Sequence, residues 1–99
     1  MKFSNFIVDF LLDRGVKIVF SYPGEQIVDI YREVEESPIK NILVRHEQGS
    51  VHMADGYARI TNYVGVCLAT AGPGATNITT GIYTAYKDSS STLAITGRC

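Results

Sequence analysis

Four short apolar runs, each separated from the next by a helix-length segment carrying one apolar stripe, constrain this chain more than any other feature. The runs are Lys17-Ile18-Val19-Phe20, Asn41-Ile42-Leu43-Val44, Val64-Gly65-Val66-Cys67-Leu68-Ala69 and Thr92-Leu93-Ala94-Ile95. In the second and third runs, successive apolar side chains with no polar alternation are the pattern of strands buried on both faces, whereas the last run is either an edge strand or part of something longer. Before the first run, Phe3, Phe6, Ile7, Phe10 and Leu11 recur at helical spacing, predicting a helix over 3–14 with Gly15 as its cap. A second helix is expected over about 25–36 on the stripe Ile27, Ile30, Tyr31 and Val34, ended by Ser37-Pro38. A third runs from Gln48 to about Thr61 on Val51, Ala54, Tyr57 and Ala58, with Asp55 and Arg59 paired on its other face. A fourth opens after the loop 70–77 and continues to about Tyr86. Helix then strand, four times over, predicts an α/β fold: three α/β/α layers around a mainly parallel sheet, joined by right-handed crossovers.

Ninety-nine residues with 45% hydrophobic content suit one packed domain and leave no room for a second. A net charge of −1 with scattered Lys and Arg gives no basic stripe, so neither nucleic acid nor an anionic membrane is an expected partner. No apolar run approaches a membrane span, and Asp9 and Asp13 interrupt any signal-peptide core, so the chain reads as cytoplasmic. Cys67 inside a strand and Cys99 at the end read as two thiols rather than a disulfide. No metal is expected on this chain. His46-Glu47 would need a second histidine at position 50 for a zinc-binding helix, and that residue is Ser50.

Three loops follow strands: Tyr22-Pro23-Gly24, Arg45-His46-Glu47 and Thr70-Ala71-Gly72-Pro73-Gly74. In a parallel sheet all three lie at the carboxyl edge, where open α/β sheets bind ligands. Glu47 has two readings. A glutamate near a helix N-terminus complements the macrodipole for roughly 0.3–1 kcal/mol. A carboxylate at the mouth of an apolar strand is also taken out of water and becomes a candidate for proton transfer. The Gly-Pro-Gly loop is likewise either a tight strand-to-helix turn or a close backbone approach to a ligand. A dinucleotide fingerprint starting at Gly72-x-Gly74 fails at its third glycine, which is Asn77.

The blocks Tyr22-Pro23-Gly24, Arg45-His46-Glu47-Gln48-Gly49, His52-Met53-Ala54-Asp55-Gly56-Tyr57-Ala58-Arg59 and Gly72-Pro73-Gly74-Ala75-Thr76-Asn77 run in order over nearly the whole chain. Together they resemble the N-terminal pyrimidine-binding domain of thiamine diphosphate enzymes, most closely the acetolactate synthase large subunit of branched-chain amino acid biosynthesis. The resemblance implies that residues 1–99 are such a domain, incomplete at its C-terminal end. It implies that Glu47 contacts N1′ of the cofactor's aminopyrimidine, that Tyr22, Pro23 and Gly24 offer it main chain, and that Thr70, Pro73 and Asn77 border the same pocket. It implies a 2-oxo acid substrate such as pyruvate in the complete enzyme, decarboxylated and joined to a second 2-oxo acid.

The family's diphosphate and Mg2+ site belongs to a separate domain with a Gly-Asp-Gly motif that this chain does not carry. The chain is therefore expected to be inactive alone and to work in a homo-oligomer or with a complementary diphosphate-binding subunit. The Ile82, Tyr83 and Ala85 region and the helix from Gln48 are the expected contact faces. Flavin dependence stays open, and Gly24-Glu25-Gln26, where the family usually reads Gly-Gly-Ala, leaves the particular 2-oxo acid open. The alternative reading is a non-catalytic interaction module or gene remnant that keeps the fold.

Overall fold

The computed structural model describes residues 3–24 and 27–97. In chain order the elements are α1 (Phe3–Asp13), β1 (Ile18–Ser21), α2 (Val28–Glu35), β2 (Lys40–Leu43), α3 (Glu47–Thr61), β3 (Gly65–Ala69), α4 (Pro73–Asn77), α5 (Thr79–Lys87) and β4 (Thr92–Thr96). The four strands form one parallel sheet in the order β2-β1-β3-β4. The start of the helix expected over 25–36 falls on Glu25 and Gln26, outside the described residues.

Alternation along the two central strands builds the layers. Val19 of β1 and Val66 and Leu68 of β3 face one side, where Val8 and Leu11 of α1 and Val34 of α2 cover them. Phe20 of β1 and Cys67 and Ala69 of β3 face the other side, against Val51 and Ala54 of α3 and Ile78. Helices on both faces of a parallel sheet make the α/β/α sandwich that the pattern predicted.

Local chemistry ends these elements. At the end of α1, Gly15 takes φ 79, and the Val16 N–H donates to the Leu11 carbonyl at 3.0 Å, closing the helix with a left-handed glycine. Asn62 takes the left-handed conformation at the end of α3. Gly65 lets α3 approach β3 closely, since a Cβ there would overlap the Ala54 carbonyl.

Three expectations need correction. The run Asn41–Val44 is not a strand buried on both faces: β2 spans Lys40–Leu43 at the sheet edge, and Leu43 is 60% exposed. An apolar run reports apolar neighbours on a strand, not how many strands flank it. The fourth helix is two helices, because the chain steps at Ile78, whose N–H reaches back only three residues to Ala75 before α5 begins. The expected Asp55–Arg59 pair forms, with Asp55 buried: Arg59 Nε donates to it at 3.0 Å while Arg59 Nη2 reaches Asp88 Oδ2 at 2.9 Å beyond α5. Ala85 is buried within the chain, so it offers no outer contact face, whereas its neighbour Tyr83 is exposed.

Among the described residues no helix is long and apolar enough to cross a membrane. Cys67 is a buried free thiol, and Cys99 lies outside the described residues.

Candidate functional site

Register brings the three predicted loops together. Ser21 at the end of β1 pairs with Leu43 of β2 on one side and Leu68 of β3 on the other. The Val44 N–H then donates to Ser21 O at 2.9 Å, and the Tyr22 N–H donates to Leu68 O at 3.2 Å. The loop Tyr22-Pro23-Gly24 thus lies between the loops that carry Glu47 and Thr70.

Glu47 is the first residue of α3, one position earlier than the apolar periodicity placed the helix start. His46 caps that helix from an extended backbone, its Nδ1 accepting the Gln48 N–H at 3.0 Å. Glu47 is 8% exposed. A glutamate serving only the macrodipole gains that benefit at the surface, so its removal from water needs a partner to offset the loss of hydration. Asn77 supplies one: its Nδ2 donates to Glu47 Oε1 at 3.1 Å across 30 residues of sequence. The Ser50 hydroxyl donates to the Glu47 carbonyl at 2.6 Å and tightens the first turn.

Two glycines allow the close packing around this carboxylate. A Cβ on Gly74 would stand 2.8 Å from Thr70 Cγ2 and 3.4 Å from Glu47 Oε2. A Cβ on Gly24 would overlap the Thr70 side chain. Thr70 is therefore held between the glycines of two loops, and Gly24, Thr70, Gly74, Glu47 and Asn77 form one contiguous cluster. Gly72 adopts φ 66 at the cap of α4, a conformation open to glycine at no steric cost.

The other predicted site residues sit at the same edge in turn-making roles. Tyr22 is half-buried and Pro23 exposed beside Gly24. Pro73 is exposed at the first position of α4, where its missing N–H costs nothing, and its carbonyl accepts from the Thr76 hydroxyl at 3.1 Å. Gly74, Ser50 and the capping role of His46 were not among the predicted site residues. The spacing of Gly74 within Gly-Pro-Gly signalled a close approach, but nothing local signalled that the approach was to a carboxylate.

The apolar cleft between α1 and β4, bordered by Phe6, Phe10, Leu93 and Ile95, shares no residue with this cluster. Among the described residues, no group of three or more His, Cys, Asp or Glu side chains is placed to hold a metal ion. What the cluster can do chemically is accept, share or return a proton through a single buried carboxylate.

Comparison with known proteins points the same way. The model of the family described as thiamine pyrophosphate enzyme, N-terminal TPP binding domain, matches residues 1–99. An uncharacterized protein of Methanocaldococcus jannaschii is 71% identical over 99 residues, covering 100% of this chain and 20% of that protein. The acetolactate synthase of Arthrospira platensis is 55% identical over 96 residues, 93% of this chain and 17% of the synthase. The probable acetolactate synthase large subunit of Methanocaldococcus jannaschii is 49% identical over 98 residues, 99% of this chain and 17% of the subunit. The chain thus spans at most 20% of the length of these relatives. With a match over its whole length, the chain belongs to the thiamine pyrophosphate enzyme family, as its N-terminal TPP binding domain.

Proposed function

We propose that this chain, as a pyrimidine-binding domain, supplies one half of a thiamine diphosphate site in an acetolactate-synthase-like enzyme, with Glu47 as the carboxylate that exchanges a proton with the cofactor's aminopyrimidine ring. The single observation that carries this reading is Glu47 itself: a buried residue at the carboxyl edge of a parallel sheet, with Asn77 on one carboxylate oxygen and Gly74 beside the other.

The residues present suit a flat heterocycle with ring nitrogens. Gly24 and Gly74, lacking side chains, let the Thr70 side chain pack between two loops beside Glu47, which draws both loops in around the carboxylate. Tyr22, Pro23 and Gly24 offer main chain toward the ring, and Thr70, Pro73 and Asn77 border it. Thiamine diphosphate, when bound, supplies the nucleophilic carbon that adds to a 2-oxo acid and holds the electrons released with carbon dioxide.

Glu47 holds and returns the proton at the pyrimidine nitrogen. An aspartate at that position would be one methylene short, and a glutamine could not exchange the proton. The diphosphate and Mg2+ then fall to another segment or subunit, and the 99-residue chain alone is inactive. The substrate class is a 2-oxo acid such as pyruvate, and the working form is an oligomer or a complex with a diphosphate-binding partner.

The test uses two preparations. The purified chain, given thiamine diphosphate, Mg2+ and pyruvate, is expected to form no acetolactate. A chimera in which the chain replaces the matching segment of the Methanocaldococcus jannaschii large subunit is expected to form it. In that chimera Glu47→Gln is expected to lower kcat by about 10²–10⁴-fold, the usual contribution of a positioned acid or base. Full turnover by Glu47→Gln in the chimera would remove Glu47 from the mechanism, and turnover by the chain alone would remove the need for a partner.

A further inference from the structure

The two oxygens of Glu47 stand in different surroundings. Oε1 accepts the Asn77 Nδ2–H at 3.1 Å. Oε2 lies on the other side, 3.4 Å from where a Cβ on Gly74 would stand. An amide NH2 only donates, so a proton placed on the side of Oε1 that meets Asn77 would confront another hydrogen. The side of Oε1 that meets Asn77 is therefore closed to a proton, a restriction this contact does not place on Oε2.

The backbone behind Asn77 is anchored. Ile78 is buried among Phe20, Val51 and Ala54, and α4 rests against Thr70 through the missing side chain of Gly74. Asn77 ends α4 at the step before α5, so the break in the expected long helix sits directly beside the residue that holds the carboxylate.

From this geometry we infer that Asn77 is a positioning residue: it reserves Oε1 as an acceptor and leaves Oε2 as the oxygen that takes up and returns the proton. The inference rests on the reading of Glu47 as the proton-exchanging carboxylate. It adds which oxygen acts and which residue selects it.

Two measurements test it. In the 15N-labelled 99-residue chain, the Asn77 side-chain amide is expected to lie downfield, as in a hydrogen bond to a carboxylate, and to move upfield in Glu47→Gln. In the chimera, Asn77→Ala is expected to lower kcat on the order of tenfold to a hundredfold, the range of a hydrogen bond to a charged group, while the Kd for thiamine diphosphate changes less than about threefold. Asn77→Asp has almost the same shape but brings a like charge and no donor when ionised, so it is expected to lose at least as much rate.

An Asn77 amide indifferent to Glu47→Gln, or Asn77→Asp turning over as fast as the parent, overturns the inference. The two claims separate cleanly. Full activity in Glu47→Gln sinks the functional reading, whereas an inactive Glu47→Gln beside a fully active Asn77→Asp sinks only the positioning role.

Discussion

Replacing Gly81 with alanine tests how α3, the helix that starts with Glu47, is held against α5. A Cβ on Gly81 would overlap Val51 Cγ1 and stand 2.9 Å from Cγ2. Val51 is fully buried, and a β-branched residue in a helix has essentially one χ1 rotamer, so it cannot swing aside. Overpacking of this kind costs about 1–3 kcal/mol, and the better helix propensity of alanine returns up to about 1 kcal/mol. The net expectation for Gly81→Ala is a loss of about 1–2 kcal/mol, or roughly 4–16 °C in Tm for a chain of this size.

Val51→Ala removes two buried methyl groups and is expected to cost about 2 kcal/mol alone. In the double variant the new Cβ at position 81 occupies part of the space vacated by Val51. Its loss is therefore expected to fall short of the sum of the single losses by at least about 1 kcal/mol, a coupling typical of residues in contact. Urea unfolding of the parent, the two single variants and the double variant measures all four stabilities. Additive losses, or a neutral Gly81→Ala, would refute the claim that the missing side chain sets the spacing of α3 and α5.

Two further outcomes follow from buried groups. Burial would push the Asp55 carboxyl up, but hydrogen bonds from Arg59 and Ser90 and the attraction of Arg59 and His52 outweigh it and hold it below the ordinary 3.8. A carboxyl depressed in the folded state stabilises above its unfolded pKa, and that stability is lost as pH falls through the folded value. Asp55→Asn is therefore expected to cost about 1 kcal/mol at pH 7, after allowance for the exposure of Arg59, with the gap to the parent narrowing as pH drops below 3.8 in urea titrations. Burial pushes the Cys67 thiol up to about 11, so it should resist a thiolate-selective reagent at pH 8 in native protein and react at the rate of unfolding. Rapid labelling under native conditions would contradict its place on β3.

Local chemistry makes several elements legible without a structure. β-Branched and apolar runs at Ile18–Phe20 and Val66–Ala69 announce strands, and Gly15 and Asn62 sit where helices need a left-handed end. What such patterns cannot carry is the identity of the neighbour. The run at Asn41–Val44 looks like that at Val66–Ala69, yet one is an edge strand and the other is covered on both sides. The Asp55–Arg59 pair is legible from its spacing, but Asp88, the group completing its network, is 29 residues beyond Arg59. The step at Ile78 escapes a periodicity argument because burying Ile78 against Phe20 and Val51 outweighs one continuous hydrogen-bond ladder.

The candidate site divides along the same line. The sequence by itself determined that Tyr22-Pro23-Gly24, Glu47 and Thr70–Asn77 fall after strands, because strand and turn propensities are local and parallel pairing sends every such loop to one edge. Only the tertiary structure decided that Glu47 leaves water, that Asn77 grips one of its oxygens, and that Thr70 is wedged between Gly24 and Gly74. The Glu47–Asn77 and Gly24–Thr70 contacts join residues 30 and 46 positions apart, set by strand order and by how closely the helices settle on the sheet, which hydrophobic spacing along the chain does not encode.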